Sequence, residues 1–208
     1  MARGGGYRLM RIHCLLDLVQ ITGTASGGLQ FNWTLVDTAV DVLVIAASNG
    51  ENLKLAERFA GAARQLGSST DLLDLTTIDL PLYRPKAEKN GNPAALAPLQ
   101  NRLMAAQRWV ICAPEYNGSI PPVFTNAVAW LSVQGEDFRA LFNGRPVAMA
   151  TFSGGGGMEL LLSLRIQLTH LGAQVVGRQL LSNHAKPAKD DSIQDLLKRL
   201  LQCAPLQL

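Results

Sequence analysis

Residues 42–47 read Val-Leu-Val-Ile-Ala-Ala, an aliphatic run with no polar residue at either parity. A strand with one face in water alternates apolar and polar residues, so a run apolar on both parities must be covered on both faces. Strands of that kind belong to parallel sheets, whose neighbours are joined by helical crossovers. The crossover follows at once. After a polar turn, Leu53, Ala56, Phe59, Ala60 and Ala63 recur at helical spacing up to Gly67, and residues 69–75 read as a second strand. The result is a βαβ unit.

The alternation continues to the end of the chain. Residues 76–93 contain Pro81, Pro85, Gly91 and Pro93 and read as a long loop before a helix over about 94–106. Trp109 to Ala113 is a third buried strand, and a helix runs from near Pro122 through Asn126 to Val133. Pro146 to Phe152 is a fourth strand. Met158 to Leu171 is apolar at helical spacing and stops at Gly172, followed by a short strand over 174–180 and a polar-faced helix from about Asp191 to Gln202. With 48% hydrophobic and 17% charged residues there is apolar material enough for a core, which excludes a disordered chain. Five strands joined by right-handed crossovers give a parallel sheet with helices on both faces.

Residues 1–40 do not share this regularity and read as a poorly ordered extension ahead of the domain 41–208. Arg3, Arg8 and Arg11, the apolar stretch from Ile12 to Ile21, and Thr22 to Ser26 loosely copy a secretory signal, but His13 and Asp17 interrupt the apolar part. That stretch is also too short and too polar to span a membrane. Cys14, Cys112 and Cys203 form no CxxC pair and have no histidine at metal-ligand spacing, which predicts a cytoplasmic protein without a metal site. Nineteen Lys and Arg against 16 Asp and Glu leave only +3, scattered and without interleaved aromatics, so no nucleic-acid partner is expected.

Ligands of open α/β sheets collect beyond the carboxyl ends of the strands. Three turns there are unusual. Ser48-Asn49-Gly50-Glu51-Asn52 leads straight into a helix; small polar residues and a glycine suit an anion at a helix N-terminus, with Glu51 pointing outward. The same residues suit an ordinary N-cap made by Asn49 or Asn52, and by themselves they leave both readings open. Pro114-Glu115-Tyr116-Asn117-Gly118-Ser119-Ile120-Pro121-Pro122 is stiffened by proline at both ends, with Gly118 permitting positive φ. Ser153-Gly154-Gly155-Gly156-Gly157 lets a flat ligand approach main-chain amides without obstruction. His13, His170 and His184 are far apart in sequence, and Asp190-Asp191 suits the positive end of the last helix. No catalytic acid–base side chain stands out, and neither Cys112 nor Cys203 has an activating partner.

Pro114 to Pro121, followed by Asn126-Ala127 and Trp130-Leu131 and then by Ser153 with its glycines, resembles the NAD(P)H-dependent FMN reductase family. The resemblance covers Asp41 to about Gln202. It implies a flavodoxin-like three-layer α/β sandwich with a five-stranded parallel sheet in the order 2-1-3-4-5, and FMN as cofactor with NADPH or NADH as donor. It places the flavin phosphate on Ser48, Asn49, Gly50, Glu51 and Asn52, through mostly main-chain donors. The isoalloxazine then lies between Pro114, Glu115, Tyr116, Asn117, Gly118 and Ser119 on one side and Ser153, Gly154, Gly155 and Gly156 on the other.

The reaction so implied is hydride transfer from nicotinamide to flavin, then delivery to a small-molecule acceptor: a quinone, azo compound, free flavin or metal oxyanion. The family's phosphate loop, Gly-Ser-x-Arg-x-x-Ser-x-Asn, is about four residues longer than the one here; Ser48 and Asn52 have counterparts in it and its arginine does not. Homo-dimers or homo-tetramers are also implied. Val123, Phe124, Val128, Trp130 and Leu131 on one helix add to that expectation as surplus apolar surface. Other classes on the same scaffold are a flavodoxin-type electron carrier, whose usual acidity is missing here, and a flavin-free interaction module.

Overall fold

A computed structural model describes residues 18–23, 29–34 and 40–207. By contact density the chain divides into residues 1–38 and residues 39–208. In the first unit, β1 (Leu18–Gly23) pairs antiparallel with β2 (Leu29–Thr34). The register sets Val19 opposite Trp33 and Ile21 opposite Phe31, with Gln20 opposite Asn32 and Thr22 opposite Gln30. That period-2 match is a hairpin signal the reading of this stretch as irregular passed over. The expectations for Arg3, Arg8, Arg11, His13, Cys14, Asp17 and residues 24–28 lie outside the described residues.

The second unit carries the alternation. Its elements are β3 (Val40–Ala46), α1 (Glu51–Gln65), β4 (Thr70–Asp74), α2 (Pro85–Lys89), α3 (Leu96–Met104), β5 (Ala106–Cys112), α4 (Pro122–Ser132), β6 (Pro146–Phe152), α5 (Met158–His170), β7 (Gln174–Val175), β8 (Leu180–Ser182) and α6 (Asp190–Gln202). The parallel sheet runs β4-β3-β5-β6-β7, with β8 also on β6. Counted within this unit the order is 2-1-3-4-5.

Alternate residues of the central strands feed two cores. Leu43, Ile45, Trp109, Ile111, Val147 and Met149 face α3, α4 and α5. Val42, Val44, Ala46, Val110, Cys112, Ala148 and Ala150 face α1 and α6. Each large side chain so buried contributes about 1.5–3 kcal/mol, which is why polar residues are missing from both parities.

Three local departures have physical causes. β5 begins at Ala106 rather than Trp109, because Ala106 pairs with Val40 and extends the ladder below the apolar run. The fifth strand, expected over 174–180, is two pieces. Between them the Arg165 guanidinium takes the carbonyls of Val176 and Gly177 and the side chain of Gln179, so these groups need no neighbouring strand. The loop after β4 is held in place: Asn126 accepts from the Tyr83 amide and donates to the Leu80 and Pro81 carbonyls, and Trp130 Nε1 donates to Pro81 at 2.7 Å.

α4 also decides the question of surplus apolar surface. Phe124, Val128, Trp130 and Leu131 are buried in the unit's own core and Val123 packs half-buried against it, so self-association cannot be argued from them.

Candidate functional site

β3, β5 and β6 are adjacent and parallel, so the turns that follow them emerge at one rim of the sheet. Residues 48–50 form the first turn, and α1 starts on Gly50 with no side-chain cap. Leu53 and Lys54 donate to the Gly50 carbonyl. The amides of Ser48, Asn49, Gly50, Glu51 and Asn52 meet no acceptor among the described residues. A run of free N–H groups at the positive end of a helix is suited to an anion. Glu51 turns away to bind Lys54 at 2.7 Å, which holds its carboxyl below the usual range.

The N-cap reading fails for Asn52. Its side chain is buried and brackets another element: Nδ2 donates to the Phe152 carbonyl at 2.9 Å and Oδ1 accepts the Phe152 amide at 2.8 Å. Asn52 therefore fixes the first turn against the end of β6, and only its main chain is available to a ligand.

A second bracket joins the other two turns. The Glu115 amide donates to Ser153 Oγ at 2.8 Å, and Ser153 Oγ lies 2.8 Å from Thr151 Oγ1. Thr151 donates its own proton to the Ala113 carbonyl, so Ser153 must be the donor of the shared bond. The Ser153 hydroxyl is thus consumed within the protein. Glu115 Oε2 accepts the Leu160 amide at 3.3 Å, which places the carboxylate at the start of α5. Glu115 and Ser153, both read from the sequence as ligand contacts, act through their side chains as fasteners, and Pro114 is buried behind them.

Tyr116 and Ser119 exchange main-chain hydrogen bonds of 3.1 and 3.0 Å around Asn117 (φ 51°) and Gly118 (φ 69°). Two consecutive positive φ values define a type I′ turn, the reason for the Asn-Gly pair. Tyr116 to Ser119 are exposed on the rim. In the third turn Gly154 and Gly155 are exposed with amides that meet no acceptor among the described residues, while Gly157 is buried.

One neighbour was not legible in sequence. His184, in the loop after β8, meets the Phe152 ring edge-on at 4.9 Å, and so reaches the same rim. His170 lies elsewhere, beside Phe138. Burial pushes the Cys112 thiol far above its usual range, which leaves it unreactive. A cleft of about 480 Å³ between Gln174–Arg178 and Arg199, Gln202 and Cys203 is remote from these turns, and its Arg178 and Arg199 share Asp195. Among the described residues no helix is long and apolar enough to cross a membrane, and no cluster of His, Cys, Asp and Glu could hold a metal.

Comparison with known proteins agrees with this geometry. The NADPH-dependent FMN reductase family matches residues 40–187. A quinone reductase of Escherichia coli (strain K12) is 36% identical over 103 residues, 48% of this chain and 53% of that protein, so the match spans about half the length of that relative. An NADPH azoreductase of Bacillus sp. (strain OY1-2) is 28% identical over 139 residues, 61% of this chain and 74% of the relative. Among solved structures, FerB, a flavoenzyme NAD(P)H:(acceptor) oxidoreductase from Paracoccus denitrificans, superposes with a TM-score of 0.64 at 20% identity, covering 79% of this chain and 96% of that one. At that identity the likeness establishes the shared fold.

Proposed function

Because the chain belongs to the NADPH-dependent FMN reductase family, we propose that it is an FMN-dependent oxidoreductase. Two electrons pass as hydride from NADPH or NADH and on to a small acceptor of the quinone or azo class. Relatives named quinone reductase and NADPH azoreductase support that acceptor class. The observation that carries the reading is the run of free amides at residues 48–52, at the same rim as the glycine turn and the type I′ turn. Bound FMN supplies the redox chemistry, accepting hydride and releasing electrons to the acceptor.

The chain's own residues do the rest. The amides of 48–52 receive the phosphate and the α1 dipole offsets its charge. The free amides of Asn117, Gly118, Gly154 and Gly155 are donors for the ring system and for the negative charge of its reduced form. Asn52, Thr151, Ser153 and Glu115 hold the three turns in fixed relation, so that little reorganisation accompanies binding.

We place the protein in the cytoplasm, on the free state of Cys112 and Cys203. We also propose a homodimer, with α5 as its seat. Met158, Leu162 and Ile166 are exposed at i, i+4 spacing. An antiparallel two-fold centred on Leu162 sets Met158 against Ile166 of the second copy. The same two-fold sets exposed Glu159 against Arg165, and neither has an ion-pair partner among the described residues.

Acid-released cofactor tests the main reading: FMN is expected, bleached by anaerobic NAD(P)H before release, whereas FAD or failure to take up any flavin overturns it. Light scattering tests the dimer: Ile166→Glu should give a monomer, and a monomeric wild type refutes the interface.

A further inference from the structure

The first turn offers an anion many amides and no positive side chain. Its one charged residue, Glu51, is negative, and Lys54 is already committed to Glu51. A phosphate carrying between one and two negative charges would therefore rest on neutral donors alone unless a cationic or N–H-bearing side chain arrives from another element. The loop after β8 brings one.

β8 runs parallel to β6, pairing Leu180 with Ala150 and Ser182 with Phe152, so the chain leaves the sheet beside the end of β6. There it is closed into a tight turn: the Asn183 amide donates to the Lys186 carbonyl at 3.0 Å, and the Lys186 amide donates to Asn183 Oδ1 at 2.7 Å. This double closure presents His184 and Ala185 at the tip. The His184 ring packs edge-on against Phe152, whose main chain is held on both sides by Asn52 of the first turn. The ring lies within electrostatic reach of the Glu51 carboxylate, the first residue of α1. His184 is itself exposed and has no hydrogen-bond partner within the protein among the described residues. Arg58 secures the far side of the loop, donating to the Ala188 carbonyl and to Asp190.

We infer that His184 is a phosphate contact: its ring N–H donates to a phosphoryl oxygen of the flavin mononucleotide seated on the amides of residues 48–52. This inference rests on the FMN reading above and adds to it a side-chain ligand from the loop after β8. An imidazole can donate one N–H when neutral and two when protonated, and a bond from the charged form is the stronger. Phe152 then has a second role, as the wall that holds the ring upright.

The test compares two ligands that differ only in the phosphate. Affinities for FMN and for riboflavin are measured by fluorescence quenching with wild type, His184→Ala and His184→Phe. The Phe variant keeps an aromatic ring against Phe152 and removes the N–H. Both variants should bind FMN about tenfold more weakly and riboflavin within twofold of wild type. Equal loss for the two flavins would show that His184 acts by packing, and unchanged FMN affinity in His184→Phe would show that it does not touch the phosphate. Either result overturns the inference while leaving the FMN reading intact. A wild type that binds neither flavin overturns the FMN reading itself.

Discussion

Replacing Gly157 by alanine should damage the fold far more than replacing Gly155, two residues earlier in the same glycine run. Gly157 has φ +80°, and a Cβ there would lie 2.6 Å from Thr151 Cγ2, 3.0 Å from Thr151 Oγ1 and 3.2 Å from Ser153 Cβ. The left-handed conformation costs a non-glycine residue roughly 1–2 kcal/mol. Overpacking against a fully buried threonine adds roughly 1–3 kcal/mol, since Thr151 is tied to Ala113 and Ser153 and cannot simply turn away. Alanine recovers about 0.5–1 kcal/mol by restricting the unfolded chain. The net expectation is a loss of roughly 1–4.5 kcal/mol, a fall in Tm of about 2–18 °C for a unit of this size.

At Gly155 the backbone is ordinary and the nearest atom to an added Cβ is Glu115 Oε1 at 3.7 Å. Alanine there should be neutral within about 0.5 kcal/mol or slightly stabilising. Urea unfolding of both variants, fitted with a common slope, checks the pair. Gly157→Ala within about 0.5 kcal/mol of wild type, or Gly155→Ala as costly as Gly157→Ala, would refute the steric account of this turn.

Asn52→Ala should lose roughly 2–4 kcal/mol in urea unfolding, because it strands the amide and carbonyl of Phe152 together; FMN affinity should fall with it as the first turn loosens. Arg102 holds the Asp71 carboxyl below its ordinary range through bonds of 2.5 and 2.7 Å. A depressed folded pKa stabilises above the unfolded carboxylate value, near pH 4, and that stabilisation vanishes as pH falls through the folded value. Asp71→Asn should accordingly be less stable than wild type at neutral pH and match it in acid, as melting curves at pH 7 and pH 3 will show. Deleting residues 1–38 should leave a cooperative melt and unchanged FMN affinity, since the αβ unit begins at residue 39; a large loss in either would make the extension part of the domain.

The sheet was legible in the sequence because burial on both faces writes itself into every position of a strand. Residues 42–47 and 146–150 admit no polar side chain, and the helices between them carry one apolar stripe each, so the alternation of buried strands with helices and the rim where ligands collect follow from local composition and the handedness of crossovers, whereas the strand order came from the family resemblance. The Asn117-Gly118 turn was half legible, through its glycine. What each polar residue at the rim does was not. Asn52, Glu115 and Ser153 read as ligand contacts, yet their side chains bind the main chain of Phe152, Leu160 and Glu115, which are 100, 45 and 38 residues away. Asn126 and Trp130 likewise bind the carbonyls of Leu80 and Pro81 across more than forty residues. A hydrogen bond depends on the position of an acceptor in space, and sequence records that position only when acceptor and donor are neighbours in the chain. The same reason hid His184: nothing around it in the sequence says that β8 ends beside Phe152. Burial is a property each residue declares for itself, whereas partnership belongs to pairs that only the folded chain brings together.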